Sequence, residues 1–539
     1  MTTRRRFLVS SGHGLAILSG APALLLPSRR AYDLVIRRGT VFDGTGRRGR
    51  EADVAVTGDR IVAIGRRLRD AGREEIEARG MAVAPGFVDI HSHADNTLFQ
   101  DPRVESMIRQ GITTVIVGAD GSSRAPAPDN PDASFTALFD RVREVASSVN
   151  VGTMIGLGRV RRVVIGEANR PATADELARM TSMVETALAS GACGASSGLE
   201  YAPGAYASAA ELTALCRPLV ARGLPYATHM RDEEELLVEA VDEAITVARD
   251  AGCRLQISHL KTNGQANWGK IDAVLERIEG ARRRGQDLAF DRYPYVAWQS
   301  GLTVFVPVWA LDGGTEAYFR RLDDTTVAAR LRTETVHKIM VNGGWNSVQI
   351  ADVRHEEDRT AVGRRLDAVA SARGEDPYDA MTGLLRRSGG AVGVVGFGMS
   401  EENLERFLRH PLGMACTDGG AFAVDGPARS GHPHPRGLGS YPRILGRYVR
   451  DRKVLTLEQA VWKLSGYPAD RIRLGDRGRI APGCAADAIV FDPATVADRA
   501  TFEDPFQYPV GIETVVVNGR VALQSGERRG PGAGVPVRP

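Results

Sequence analysis

Only ten histidines occur in 539 residues, and two of them, His91 and His93, stand two apart at the end of Ala84-Pro85-Gly86-Phe87-Val88-Asp89-Ile90. Phe87 to Ile90 is a mostly apolar run behind a Pro-Gly pair, which predicts a buried strand. Alternate residues of a strand face the same way, so the two imidazoles point together. Such a pair forms a clamp for a metal such as Zn²⁺.

Four further stretches end in residues of the same chemistry. They are Val117-Gly118-Ala119-Asp120-Gly121, Ala227-Thr228-His229, Ile257-Ser258-His259-Leu260-Lys261 and Ala415-Cys416-Thr417-Asp418-Gly419. Each is a short apolar run closing on a polar group. Neutral imidazoles with a carboxylate suit Zn²⁺, which makes hydroxide available at neutral pH. Asp418 beside such an ion would take a proton during attack and return it to a leaving nitrogen. The chemistry implied is hydrolysis of an amide or a similar bond.

Elements must bring these ends together. Strand candidates at 83–91, 113–118, 152–156, 194–197, 226–229, 255–259, 288–293, 392–397 and 413–417 alternate with amphipathic helical stretches such as 174–189, 232–250 and 271–284. Alternation of that kind predicts an α/β fold with a parallel sheet, here a TIM-like (β/α)8 barrel whose chemistry sits at the C-terminal ends of its strands. Nine candidates compete for eight places, and 288–293 and 392–397 are the pair between which the sequence does not choose. Short strand-like runs at 33–64 and again at 486–521 predict a small β-sandwich built from both termini. The divisions read as 1–30 for a leader, 31–84 and 466–539 for the sandwich, and 85–465 for the barrel with an insertion near 299–376.

Thr3-Arg4-Arg5-Arg6-Phe7-Leu8 followed by the apolar stretch from Gly14 to Leu26 has the form of a twin-arginine export signal. It is too short and too broken by Gly and Pro for a stable membrane anchor. The expectation is an exported protein, periplasmic or secreted. Without residues 1–30 the chain holds 64 basic and 66 acidic residues, a balance that argues against a nucleic-acid partner. The five cysteines show no disulfide or metal spacing.

These motifs resemble the amidohydrolase superfamily and, within it, the D-aminoacylase (N-acyl-D-amino-acid deacylase) family. The resemblance runs through Pro85 to His93, Gly198-Leu199-Glu200-Tyr201-Ala202-Pro203-Gly204, Ala227 to Glu233, Ile257 to Lys261, Asn267-Trp268-Gly269-Lys270, Asp291-Arg292-Tyr293-Pro294-Tyr295, Thr417-Asp418-Gly419 and His434-Pro435-Arg436, and on to Tyr448. It implies a zinc-bearing barrel with one or two ions. The ligands implied are His229 and His259, with His91 and His93 at a second position, and the implied acid/base is Asp418. Lys261, Tyr293 and Arg436 would meet the substrate, a small-molecule N-acyl amino acid or related amide. Asp120 stands where the family has a Cys ligand. A carboxylate can bridge two metals and is harder than a thiolate, which opens the site to another divalent metal. Leu157 and Gln299 also depart from the family, where a His and a small hydroxyl residue are usual. Another C–N bond, in a dipeptide or a cyclic amide, and a non-catalytic envelope binder both stay open at this point.

Overall fold

The computed structural model describes residues 30–127 and 134–539; the twin-arginine run and the apolar stretch of the expected export leader lie outside them. Eight parallel strands surround the site. They are β1 (Phe87–Asp89), β2 (Ile112–Val117), β3 (Asn150–Thr153, resumed at Ile155–Gly156), β4 (Ala195–Gly198), β5 (Pro225–His229), β6 (Arg254–Ile257), β7 (Leu288–Arg292) and β8 (Gly413–Ala415). β2 shows why they form: ITTVIV is β-branched throughout and buried at every position, as a strand covered on both faces requires. Helices such as Ala174–Ala189 and Leu237–Ala251 lay one apolar stripe on this barrel; the first buries Met180, Val184, Ala187 and Leu188 behind a Thr173–Glu176 capping box.

No ladder joins β8 to β1. The seam is closed just beyond the strands. The amide of Asp418 donates to His91 O and that of His93 to Gly419 O, both at 2.9 Å. Below them the fully buried Asp89 accepts from the Thr417 amide at 2.9 Å and from the Thr417 hydroxyl. The two residues that close the barrel are thus neighbours in sequence of His91 and Asp418.

Residues 392–397 are the surplus candidate. Val392–Phe397 is the centre of a separate three-stranded antiparallel sheet, flanked by Ala297–Gly301 and Val348–Val353. Its Val-Gly-Val-Val-Gly run reads as a buried strand in either setting, so periodicity could not separate it from β7. The excursion between β7 and β8 is therefore longer than the expected 299–376 and includes this strand. The expected terminal sandwich is built as one nine-stranded mixed sheet. There Ala82–Pro85 lies between Arg30–Val41 and the C-terminal strand Ala488–Phe491. The 83–91 run divides at Gly86, giving its first half to this sheet and its second to β1. A side chain at Gly86 would meet Thr113 Oγ1 at 2.2 Å.

Burial pushes the Asp89 carboxyl up to about 7, so a neutral amide is the milder replacement. Asp89→Ala strands two buried Thr417 donors. It is expected to cost about 2–4 kcal/mol in urea unfolding, with Asp89→Asn costing less. A loss for Asp89→Ala below about 0.5 kcal/mol, the level of a surface change, would contradict the seam.

Candidate active site

A cavity of about 540 Å³ opens over the C-terminal ends of the strands. His93, Asp120, His229, His259, Lys261, Tyr293, Asp418 and Arg436 line it, and His91 lies buried immediately beneath, 3.3 Å from Asp120 and 3.4 Å from Asp418. All nine residues singled out in the sequence meet here.

Asp120 sits at the centre, and its two oxygens face different groups. Oδ2 lies 3.3 Å from both His91 Nε2 and His93 Nε2. Those imidazoles also meet Asp418 Oδ1, at 3.4 and 3.1 Å. Oδ1 is 3.6 Å from His259 Nε2, which lies 2.9 Å from His229 Nδ1. Oδ1 is buried and carries no hydrogen bond.

The electrostatics are those of a cation site. Burial alone would pull His91 down, yet the carboxylates of Asp120 and Asp418 raise it well above the ordinary imidazole value. His93, opposed by burial in the same way, is raised to about 9 by the same two groups. Burial would raise Asp120, but His91 and His259 hold it well below the usual carboxylate range. The carboxylates thus favour positive charge at their imidazole neighbours, a charge that a divalent ion would also supply. Orphaned Asp120 Oδ1, the convergent imidazole nitrogens and the all-N/O donor set fit such an ion. His229, His259 and Asp120 Oδ1 would hold one ion. His91, His93, Asp120 Oδ2 and Asp418 would hold a second.

Each of three imidazoles is backed by a carboxylate that the sequence reading did not assign. Asp291 Oδ1 lies 3.3 Å from His91 Nδ1, Glu200 Oε2 lies 3.2 Å from His229 Nε2, and Glu233 Oε1 lies 3.1 Å from His259 Nδ1. A carboxylate behind a ring nitrogen fixes the ring and turns the other nitrogen to the metal. The only signal in sequence was acidic residues inside the quoted motifs, far from the histidines they serve. Backbone strain is equally hidden. Asp120, His259 and Asp418 adopt left-handed φ values of 50°, 34° and 48°, at about 1–2 kcal/mol each. Asp120 is held there by a tight turn. A side chain on Gly118 would meet Met154 O at 2.3 Å, and one on Gly121 would meet Gly198 N at 2.7 Å.

Arg436 is buried, not a solvated surface group, and its Nη1 forms an ion pair with Asp418 Oδ2 at 2.7 Å above the Tyr293 ring. His434 places it. Its Nδ1 accepts the Arg436 amide at 2.9 Å, while Nε2 lies 2.9 Å from Ala297 O. Burial first, then the Arg436 charge, hold His434 well below the usual imidazole range, as a neutral bracket requires. Gln299 braces the same loop, accepting from the His434 amide at 3.3 Å and, through its carbonyl, from Arg436 at 3.4 Å. Lys261 Nζ reaches Glu233 at 2.5 Å and His259 Nδ1 at 2.7 Å. Tyr293 Oη has no partner. Leu157 packs in the apolar layer around the barrel and brings no polar group to the cavity.

The Amidohydrolase family model matches residues 421–523. The D-aminoacylase of Alcaligenes xylosoxydans xylosoxydans is 37% identical over 518 residues, covering 93% of this chain and 97% of that protein. The N-acyl-D-glutamate deacylase of the same organism is 37% identical over 501 residues, covering 90% and 93%. Among solved structures, an N-acyl-D-glutamate deacylase from Bordetella bronchiseptica, complexed with zinc and a phosphonate mimic of the tetrahedral intermediate, superposes with a TM-score of 0.81. It is 33% identical, with 94% of this chain and 100% of that one covered.

Metal must displace the protons held on His91 and His93. His93 is raised to about 9 and His91 is raised as well, so protons compete at neutral pH, and apparent affinity should climb as pH rises from neutral toward about 9. Chelator competition for Zn²⁺ at a series of pH values checks this; an affinity flat between neutral and alkaline pH would refute it.

Proposed function

We infer from a chain that belongs to the D-aminoacylase family of amidohydrolases, and from the site it builds, a metal-dependent hydrolase that cleaves the amide bond of N-acyl-D-amino acids. The products are a carboxylate and a D-amino acid. The observation that carries this is the placement of Asp120 between two imidazole groups with Asp418 and Arg436 facing them across one cavity.

A divalent cation bound there lowers the pKa of its water from ~16 toward ~7 and polarises the scissile carbonyl. The chain's own residues do the rest. Asp418 Oδ1 faces the imidazole pair and is the group placed to receive a proton from attacking water and deliver it to the departing nitrogen. Its orientation is set by the backbone bond to His91 and by Arg436 on its other oxygen. Burial would raise this carboxyl, but Arg436, then His91 and His259, hold it below the usual range. A substrate α-carboxylate is the natural competitor for Arg436, whose planar fork suits it. Engaging Arg436 with substrate loosens its hold on Asp418 and leaves the carboxylate as a whole more ready to accept a proton on Oδ1. Tyr293 Oη, unpartnered on the cavity wall, offers a donor beside the same group. Lys261 adds a positive charge there while bonded to Glu233.

The test is elemental analysis of the purified protein followed by turnover of paired N-acetyl-D- and N-acetyl-L-amino acids before and after chelation. D-selective, chelator-sensitive release of acetate is expected, and equal turnover of both enantiomers would remove the D assignment. Asp418→Asn should cut turnover by about 10²–10⁴-fold while the ion on His229 and His259 is retained. Near-parental turnover in that variant would overturn the acid/base role.

A further inference from the structure

The helix Ala328–Val341 belongs to the excursion between β7 and β8, yet its last turn reaches the site. Lys338 lines the cavity, and its ammonium lies 3.6 Å from Glu200 Oε1. That oxygen is buried and takes part in no hydrogen bond. The other oxygen of Glu200 faces His229 Nε2 at 3.2 Å, and His229 Nδ1 looks into the site toward His259 Nε2 at 2.9 Å. The contacts run in line from the excursion, through Glu200, to a candidate metal ligand. Glu200 and His229 expose only 6% and 5% of their side chains, while Lys338 reaches them from the cavity with 29% of its own exposed.

The three backing carboxylates are secured differently. Asp291 accepts from Gln256 Nε2 at 2.7 Å and from the His259 amide at 2.8 Å, both on or beside β6. Glu233 is tied to Lys261 at 2.5 Å, again on the barrel. Glu200 alone looks outward, to a charge on the excursion. The terminal torsion of a glutamate is broad and roughly two-fold, so a contact on one oxygen leaves the other's direction loosely set. A second partner on the far oxygen removes that freedom. A second tether docks the same end of the helix. Asn342, the next residue after it, bonds Asn263, which also donates to Glu234 Oε1 at 2.7 Å and accepts from Trp298 Nε1 at 3.2 Å.

We propose that Lys338 is a positioning residue for the metal site: it holds Glu200 Oε1 so that Oε2 meets His229 Nε2 and keeps His229 Nδ1 turned toward His259. The inference rests on the metal-dependent reading above and extends it to a side chain that acts through Glu200. Seating of the excursion and retention of metal are then linked, and each strengthens the other.

The test compares the full-length parent with Lys338→Met, Lys338→Arg, Glu200→Gln and the Lys338→Met/Glu200→Gln double variant. Zn²⁺ affinity is read by chelator competition, and geometry by the visible spectrum of the Co²⁺-substituted protein. Loss of a group orienting a ligand histidine typically weakens binding by about 10–100-fold. Lys338→Met should show a loss of that order with a changed Co²⁺ spectrum, and Lys338→Arg should recover most of it. The double variant should bind no more weakly than Glu200→Gln alone. Parental Zn²⁺ affinity in Lys338→Met, or losses that multiply in the double variant, would overturn the proposal. Should Lys338→Met fail to fold, Lys338→Gln carries the same expectations. None of these readouts needs a substrate. Failure to hydrolyse N-acyl-D-amino acids would sink the proposed function and leave the metal measurements to decide this one.

Discussion

One carboxyl group must satisfy two sets of imidazoles, and the site is arranged around that demand. Asp120 turns Oδ2 to His91 and His93 and Oδ1 to His259. Carboxylates as close together and as little exposed as Asp120 and Asp418 need compensating positive charge, and burial of an uncompensated carboxylate costs several kcal/mol. The same demand shows in the imidazoles, whose pKa values Asp120 and Asp418 raise against burial. The left-handed backbone at Asp120 follows from the same demand. The residue must present both oxygens inward while the chain turns between Gly118 and Gly121 beside β3 and β4.

Much of this was legible from residues. His91 and His93 sit two apart after an apolar run, and that spacing alone aims both at one place. Strand ends closing on Asp120, His229, His259 and Asp418 implied a common rim once an α/β barrel was expected. Periodicity could not rank 288–293 against 392–397, because a buried strand reads alike in a barrel and in an antiparallel sheet. It also missed the break at Gly86, where one apolar run serves two sheets. The backing carboxylates were hidden for another reason. Glu200 and His229 are neighbours only through β4 and β5, which pair Gly198 with His229. His91 and Asp291 meet across the barrel. Such contacts have no signature in spacing.

A carboxylate at Asp120 sets the character of the candidate metal pocket. Every donor pointing into it is now nitrogen or oxygen, among them Asp120, Asp418 and four imidazoles. The nearby Cys416 is fully buried against Asp291, where burial raises its thiol well above the usual value, and it does not line the cavity. A hard, all-nitrogen-and-oxygen pocket would discriminate less sharply in favour of Zn²⁺ than one with a thiolate. The burden of selecting and holding the ion shifts to geometry, and so to the groups behind the rings.

That shift explains the depth of the surrounding network. Arg436 is placed by His434, which Ala297 and Gln299 hold from the excursion. Glu200 is held from the same excursion through Lys338. Two arms of one inserted layer therefore reach the two ends of the reacting centre, one at the acid/base Asp418 and one at the ligand His229. The barrel supplies directions that are fixed by its strands. The excursion supplies the contacts that finish them, and a layer that covers a cavity can be ordered by the ligand it covers. A substrate carboxylate at Arg436 and an ion at His229 would each meet a group that this one excursion braces.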